Sequence, residues 1–336
     1  MAKAVIMAGG QGERFWPMTH AAFPKYRIRF EKNQSLLGGT WLRLCELFKP
    51  SDIYVVTTKD HVRFIRAELP QLKAANMLVE PRRNNTASAL VYSTCFIEKK
   101  FGSSELVCFF PADHLIQRVD RFVDTMKRAM SAATRQDRLV TIGIKPRFPA
   151  TGYGYIRRAK PLTGEKNIFE VGRFVEKPSR EKAMGYLKQG QFLWNAGMFV
   201  WKTGVFRKKL ATYASEYSDF SLTDVPGSYR RMPARSIDVA LLEKASGIAV
   251  AATDMDWCDM GSWEMFDERS PKGENANVFT GPVVSKENNG VFVLNQTETP
   301  VVILGLQDVI VVRTEQGLLI SKKTRSEEAA RLAPRE

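Results

Sequence analysis

Three glycines and two cations stand near the start of this chain: Gly9, Gly10 and Gly12, followed by Arg14 and Lys25. Glycine lacks a Cβ, so backbone at these positions reaches positive φ and presses its N–H groups against an anion, while Arg and Lys add charge beside it. This is the chemistry of a phosphate cradle. The apolar run Ala4 to Met7 leads through Ala8 into the glycines and reads as a strand buried on both faces, with a ligand where the strand ends. The spacing fits neither the dinucleotide fingerprint G-x-G-x-x-G nor the P-loop, because Lys25 follows Pro24 well beyond the glycines.

Further polar residues sit where strands give way to turns. Glu80-Pro81-Arg82-Arg83-Asn84-Asn85-Thr86 leads into a helical pattern whose N-terminus has free N–H groups and partial positive charge, placing Asn85 and Thr86 near a phosphate. Pro111-Ala112-Asp113-His114 adds an acid, and by itself Asp113 reads equally well as a helix cap or a metal ligand. Glu176 and Asn195 neighbour proline or glycine turns, where short polar groups discriminate a sugar's epimers by hydrogen bonding. By composition, Tyr153, Tyr155, Trp194 and Phe199 are core aromatics.

The elements that must position these residues alternate. Leu37, Trp41, Leu44 and Phe48 recur at helical spacing, Ile53 to Thr57 is a β-branched strand, and a helix near His61 to Glu68 follows. A strand ending at Val79, a helix from about Thr86 to Lys99 and the apolar strand Leu106 to Phe110 continue the pattern. Alternation of this kind predicts an α/β fold with right-handed β-α-β units, a mainly parallel, Rossmann-like sheet and a ligand site at the strands' carboxyl ends. Ser236 to Lys244 reads as a capped helix with Ile237, Leu241 and Leu242 inward. From about Ser270 the texture changes to short Val/Ile/Leu runs between Asn, Asp and Gly turns, which predicts a small all-β domain over 270–336 after an α/β domain over 1–269. Glu327 to Glu336 reads as a charged tail without functional signal.

Several of these blocks together resemble a known family. G-G-x-G-x-R-x-x-P followed by P-K, filled by Gly9, Gly10, Gly12, Arg14, Pro17, Pro24 and Lys25, resembles the signature of the sugar-1-phosphate nucleotidylyltransferases. Pro111-Ala112-Asp113-His114, Gly152-Tyr153-Gly154-Tyr155-Ile156, Glu176-Lys177-Pro178, Trp194-Asn195-Ala196-Gly197-Met198-Phe199 and Trp257-Cys258-Asp259-Met260-Gly261-Ser262-Trp263 resemble, in order, blocks of that family's mannose-1-phosphate guanylyltransferases. The resemblance implies a GT-A-like nucleotidyltransferase fold with a short left-handed β-helix at its C-terminal end. It implies transfer of a nucleotidyl group from GTP to mannose 1-phosphate, giving GDP-mannose and pyrophosphate. The roles it implies are catalytic for Arg14, Lys25 and Lys177, nucleotide-binding for Ala8, Gly9, Gly10, Gly12, Asn85, Thr86 and Asp113, and sugar-phosphate-binding for Gly154, Glu176, Lys177, Asn195 and Gly197. Mg²⁺ is the implied cofactor, held by Asp113 and Asp259, since this hard cation takes one or two carboxylates plus substrate phosphates. The chain departs from the family pattern at Asn84, where Arg or Lys is usual, at Ser88, where Pro is usual, and at Tyr26-Arg27-Ile28, where Gln-Phe-Leu is common. Arg83 and Arg27 are the candidates to replace a cation lost at position 84.

Composition bounds the remaining readings. The chain has 336 residues, 44% of them hydrophobic, enough for a sizeable core. Its formal charge of +14 suits polyanions, but Lys and Arg are scattered, so phosphorylated small molecules are favoured over nucleic acid. Cys45, Cys95, Cys108 and Cys258 lie apart in apolar surroundings and read as buried thiols of a reducing compartment. The chain opens on its first strand without a leader pattern and has no apolar run long enough for a bilayer, so a cytoplasmic protein without membrane contact is expected. Sequence leaves three matters open: another sugar phosphate or nucleotide as substrate, a catalytically silent nucleotide-sugar sensor, and the oligomeric state, a homodimer being one option.

Overall fold

The computed structural model describes residues 2–10, 12–30 and 34–332, with Glu13 described in its backbone only. Ala333 to Glu336, the end of the expected charged tail, lie outside the described residues. By packing, the chain divides into two compact units. The first comprises 1–9, 38–112 and 116–257; the second comprises 10–37, 113–115 and 258–336.

The first unit is built on a nine-stranded sheet. Its strands in chain order are β1 (Lys3–Ala8), β2 (Ile53–Thr58), β3 (Met77–Glu80), β4 (Leu106–Pro111), β5 (Leu139–Ile144), β6 (Tyr155–Pro161), β7 (Ile168–Val175), β8 (Phe192–Lys202) and β9 (Ile248–Thr253). Their spatial order is β3-β2-β1-β4-β8-β5-β9-β7-β6. β1 lies parallel to β2 and β4, β2 to β3, and β9 to β5. The expected mainly parallel sheet is therefore mixed. β8 runs antiparallel to both β4 and β5, and β7 and β6 extend the far edge antiparallel. The reason is that the helical alternation stops near residue 145, after which β6, β7 and β8 follow without long crossover helices. Every residue of β2 and β5 is buried, as expected for strands covered on both faces. Helices α1 (Leu36–Cys45), α2 (Val62–Glu68), α3 (Asn85–Phe101), α4 (Val119–Gln136), α5 (Arg180–Gln189), α6 (Thr203–Tyr213) and α7 (Val225–Arg231) connect the strands. On one side of the sheet Phe109, Phe199 and Trp201 pack with Leu90, Ile97, Phe206 and Leu241 in a continuous apolar core. The helix expected over 236–244 is present in a shorter, wider form, a π-helix over Asp238–Leu242 in which Glu243 N donates to Asp238 O at 2.9 Å, with Ser236 Oγ accepting the Val239 amide at 3.4 Å and Ile237, Leu241 and Leu242 buried.

In the second unit, β10 (Val278–Thr280), β12 (Phe292–Asn295), β14 (Val309–Thr314) and β15 (Gly317–Lys322) form one sheet, and β11 (Val283–Lys286) pairs with β13 (Val301–Leu304). All these pairings are parallel except the β14–β15 hairpin. Phe15, Ile28, Trp263, Phe266, Phe292 and Ile310 share its apolar core. Phe15 meets Trp263 edge-on with centroids 4.9 Å apart, and the Trp263 indole N–H donates to the Trp16 carbonyl at 3.1 Å. Asp267, on α8 (Trp263–Arg269), is buried and held by both Lys272 and Lys323 at 2.6 Å. The tail reading is corrected in part: Ser326–Arg331 is a short helix, α9, with Ala330 buried in the core. Among the cysteines, Cys95, Cys108 and Cys258 are buried free thiols as expected, whereas Cys45 is exposed.

Candidate active site

The first unit presents the end of β1. Ala8 is buried, its carbonyl accepts the Thr57 hydroxyl at 2.5 Å, and Ala112 N donates to Met7 O at 3.1 Å, so the neighbouring strands fix the backbone where the glycines begin. Gly9 faces Glu80: a Cβ there would lie 3.8 Å from Glu80 Oε2. Nearby, Asn85 opens α3 with φ of 63°, and its Oδ1 accepts the Thr86 amide at 2.8 Å. The Thr86 hydroxyl accepts the Ile237 amide at 2.9 Å, which ties the start of α3 to the Asp238 turn.

The second unit gathers charge. Gly12 has φ of +76°, and a Cβ there would overlap the Lys25 side chain, so only glycine lets the loop close over that lysine. Lys25 is buried, with Nζ 2.8 Å from Asp113 Oδ2 and donating to the Asp259 carbonyl at 2.6 Å. Burial by itself would raise the Asp113 pKa, but Lys25, helped by His114, holds it below the usual carboxylate value. The Asp259 carboxylate lies over Gly261, where a Cβ would come within 2.8 Å of Oδ2. Arg14 pairs with Glu327 of α9 at 3.1 Å. Among the described residues no cluster of three or more His, Cys, Asp or Glu side chains makes a complete metal cage. A divalent ion that keeps waters and takes substrate phosphates does not require one, and an ionised Asp113 with Asp259 cradled over glycine fits such a donor set.

A third group surrounds Asn195 in the first unit. Asn195 N donates to Gly154 O at 2.8 Å, its Oδ1 accepts the Thr141 hydroxyl at 2.9 Å and the Gly197 amide at 3.2 Å, and its Nδ2 donates to Asp238 Oδ1 at 2.8 Å. Gly197 has φ of 64°, and a Cβ on Gly154 would fall 2.7 Å from Glu176 Oε2. Lys177, with φ of 44°, places Nζ 3.4 Å from Glu176 Oε1 and leaves its side chain mostly exposed. Gly154, Glu176, Lys177, Asn195 and Gly197 are thus brought together. Asp238 belongs with them, its pKa pushed up to about 7 by burial and by the Glu176 charge.

The family model described as nucleotidyl transferase matches residues 3–275. A mannose-1-phosphate guanylyltransferase of Klebsiella pneumoniae is 33% identical over 344 aligned residues, covering 96% of this chain and 71% of the relative. The chain belongs to this family. A relative of the same name from Salmonella montevideo is 34% identical, covering 96% of this chain and 71% of its own length. A solved structure from Thermus thermophilus, titled a mannose-1-phosphate geranyltransferase, superposes with a TM-score of 0.88 at 24% identity and 98% coverage of both chains. That superposition shows the nucleotidyltransferase α/β fold.

Within this family's pattern the departures now have a physical account. Asn84 and Ser88 are both buried, and Asn84 Nδ2 donates to Ser88 Oγ at 2.7 Å and to Met232 O at 3.0 Å, so the two departures form one internal contact. Arg83 meets His61 Nε2 at 3.2 Å, and Arg27 lies 4.9 Å over the Phe23 ring and donates to Ala22 O. Tyr26 and Ile28 are core residues. Sequence reading passed over Glu80 and Asp238. Glu80 is buried at the end of β3, accepts the Tyr229 hydroxyl at 3.0 Å, and has its pKa raised to about 7 by burial. The signal available was an acid closing an apolar strand; for Asp238 it was an acid one residue after an inward-facing Ile237.

Proposed function

We propose that the chain transfers a guanylyl group from GTP to mannose 1-phosphate, releasing pyrophosphate and GDP-mannose by in-line attack of the sugar phosphate on the α-phosphate. The observation that carries this reading is the buried Lys25 held by Asp113 and the Asp259 carbonyl, inside a family of nucleotidyl transferases. The sugar phosphate is already a nucleophile at neutral pH, so no general base is required. The protein's work is to position two polyanions and to stabilise charge that grows on the α-phosphate and the leaving pyrophosphate.

In this reading the Gly9, Gly10 and Gly12 amides line the phosphates, Lys25 stabilises transition-state charge, and Arg14 exchanges its contact with Glu327 for the triphosphate. Asp113 and Asp259 would hold Mg²⁺, which supplies charge neutralisation between the substrate phosphates. Lys177 neutralises the sugar phosphate, while Asn195, Glu176 and Asp238 meet sugar hydroxyls. Glu80 supports guanine as the base, because an ionised carboxylate beside Gly9 accepts both the N1–H and N2–H donors, which adenine lacks. The name carried by the Klebsiella pneumoniae relative supports both substrates. For the C-terminal strands we favour a short left-handed β-helix. The parallel registers Val278↔Phe292 and Phe292↔Ile310 support coiling, as does the buried Asn288 side chain donating to Ile303 O. The test of function is a matrix of nucleoside triphosphates against sugar 1-phosphates read as pyrophosphate release.

A further inference from the structure

We propose that the first unit carries an additional anion-binding cavity that takes a small phosphorylated ligand, distinct from the residues assigned above to nucleotidyl transfer. The cavity measures about 460 Å³, within the size range of small-molecule sites, and none of the residues placed in the candidate active site lines it. Lys145 and Pro146 follow β5, while Ala252 and Thr253 end β9 and Asp254 follows it. β5 and β9 are parallel, with Ile144 opposite Thr253, so the cavity stands at the carboxyl ends of two parallel strands. Open α/β sheets place ligands at such ends.

Its charge is one-sided. Arg118, Arg121, Arg128, Lys145 and Arg158 line it against a single carboxylate, Asp254. Three of these cations have partners. Arg128 pairs with Asp124 at 3.0 Å, Arg121 lies 3.9 Å from Asp120, and Arg158 donates to Gly190 O at 3.3 Å. Among the described residues, the Arg118 and Lys145 side chains have neither an ion-pair partner nor a hydrogen bond. Their backbones are nonetheless fixed: Arg118 N donates to Met255 O at 3.3 Å and Lys145 N to Thr253 O at 3.4 Å. Two cations without an ion-pair partner that line one cavity repel each other, and an anion bound there relieves that repulsion. Phosphate matches best, because its several oxygens accept from Arg and Lys together. Half-buried Tyr186, stacked on Phe192 with centroids 4.0 Å apart, gives the cavity an aromatic wall for a ring attached to that phosphate.

The experiment is calorimetric titration of the full chain, in EDTA, with inorganic pyrophosphate and separately with a hexose 6-phosphate. Wild type, Lys25→Met and the double variant Arg118→Ala/Lys145→Ala are compared. Lys25→Met should retain a binding event that the double variant loses or weakens by about tenfold or more, two charge-assisted contacts having gone. The double variant should keep the wild-type melting temperature and, without added probe, the wild-type turnover. Tighter binding of the hexose phosphate identifies a sugar phosphate as the source, and tighter pyrophosphate a bare polyanion. A double variant that binds both probes as wild type does, or a wild type that binds neither, overturns the proposal.

Discussion

Lys25→Met keeps an unbranched apolar stem beside the Phe15 ring, 6.0 Å from the ammonium, and removes only the charge. Two acceptors lose their donor, Asp113 Oδ2 at 2.8 Å and the Asp259 carbonyl at 2.6 Å. A buried acceptor left unpaired costs about 1–3 kcal/mol, but the Asp113 side chain is 31% exposed and water replaces part of its loss. A net destabilisation of roughly 1–3 kcal/mol follows, a drop of several degrees at most in melting temperature for a chain of this size. Turnover should fall much further, on the order of 10²-fold, because a preorganised donor at developing phosphate charge is removed. The variant also changes the pH dependence of stability. In the wild type the Asp113 pKa lies below its ordinary 3.8, so its stabilising contribution is present above 3.8 and is lost as pH falls through the folded-state value. Without Lys25 the largest influence lowering the Asp113 pKa is gone and that pKa rises, so the variant loses stability relative to wild type as pH climbs past about 4. Steady-state pyrophosphate release, with melting curves from pH 3 to 8, reads both effects. Turnover within a few-fold of wild type, in a variant that melts normally, would refute the role given to Lys25.

Three further outcomes follow from the same geometry. If Asp113 and Asp259 hold one Mg²⁺ as proposed, Asp113→Asn and Asp259→Asn should each weaken Mg²⁺-dependent turnover, and the double change should cost far less than the product of the two; effects that multiply would separate them. Asp238, with its pKa raised to about 7, keeps a proton in the folded state that the unfolded chain gives up, so its contribution to stability falls as pH rises from about 4 to 7. Asp238→Asn should abolish that decline and raise the melting temperature at pH 8, and an unchanged pH–stability curve would contradict the assignment. Glu80→Gln should cut the preference for GTP over ATP by about tenfold or more. Since Glu80 titrates near 7, the wild-type KM for GTP should climb below neutral pH and that of the variant should not.

How much of this was legible in the residues depends on the distance over which the relevant physics acts. β1, β2, β4 and α3 were readable because burial on both faces leaves uninterrupted apolar runs and amphipathic helices leave a 3.6-residue period. The antiparallel insertion of β8 was not, since the same apolar run serves a strand of either direction and only its partners decide. The segments that carry Lys25, Asp113, Asn195 and Glu176 were visible from residue type, although Asn195, read beside a turn, lies within β8. Their partners were not: the Lys25 contact with the Asp259 carbonyl spans 234 positions and the bond from Asn195 to Asp238 spans 43. For Asn84 and Ser88, residue types read one at a time suggested lost nucleotide contacts, whereas the pair shares one buried hydrogen bond. Sequence order likewise gives no sign that 10–37 packs into one unit with 258–336.

The central claim is guanylyl transfer to mannose 1-phosphate, and its most direct measurement is kcat/KM for pyrophosphate release with GTP and mannose 1-phosphate against every other pairing of four nucleoside triphosphates with common hexose 1-phosphates. GTP with mannose 1-phosphate should lead the matrix, with activity abolished by EDTA and restored by Mg²⁺ while the chain stays folded. A different leading pair would contradict the substrates assigned here, and full activity in EDTA would contradict the role given to Asp113 and Asp259.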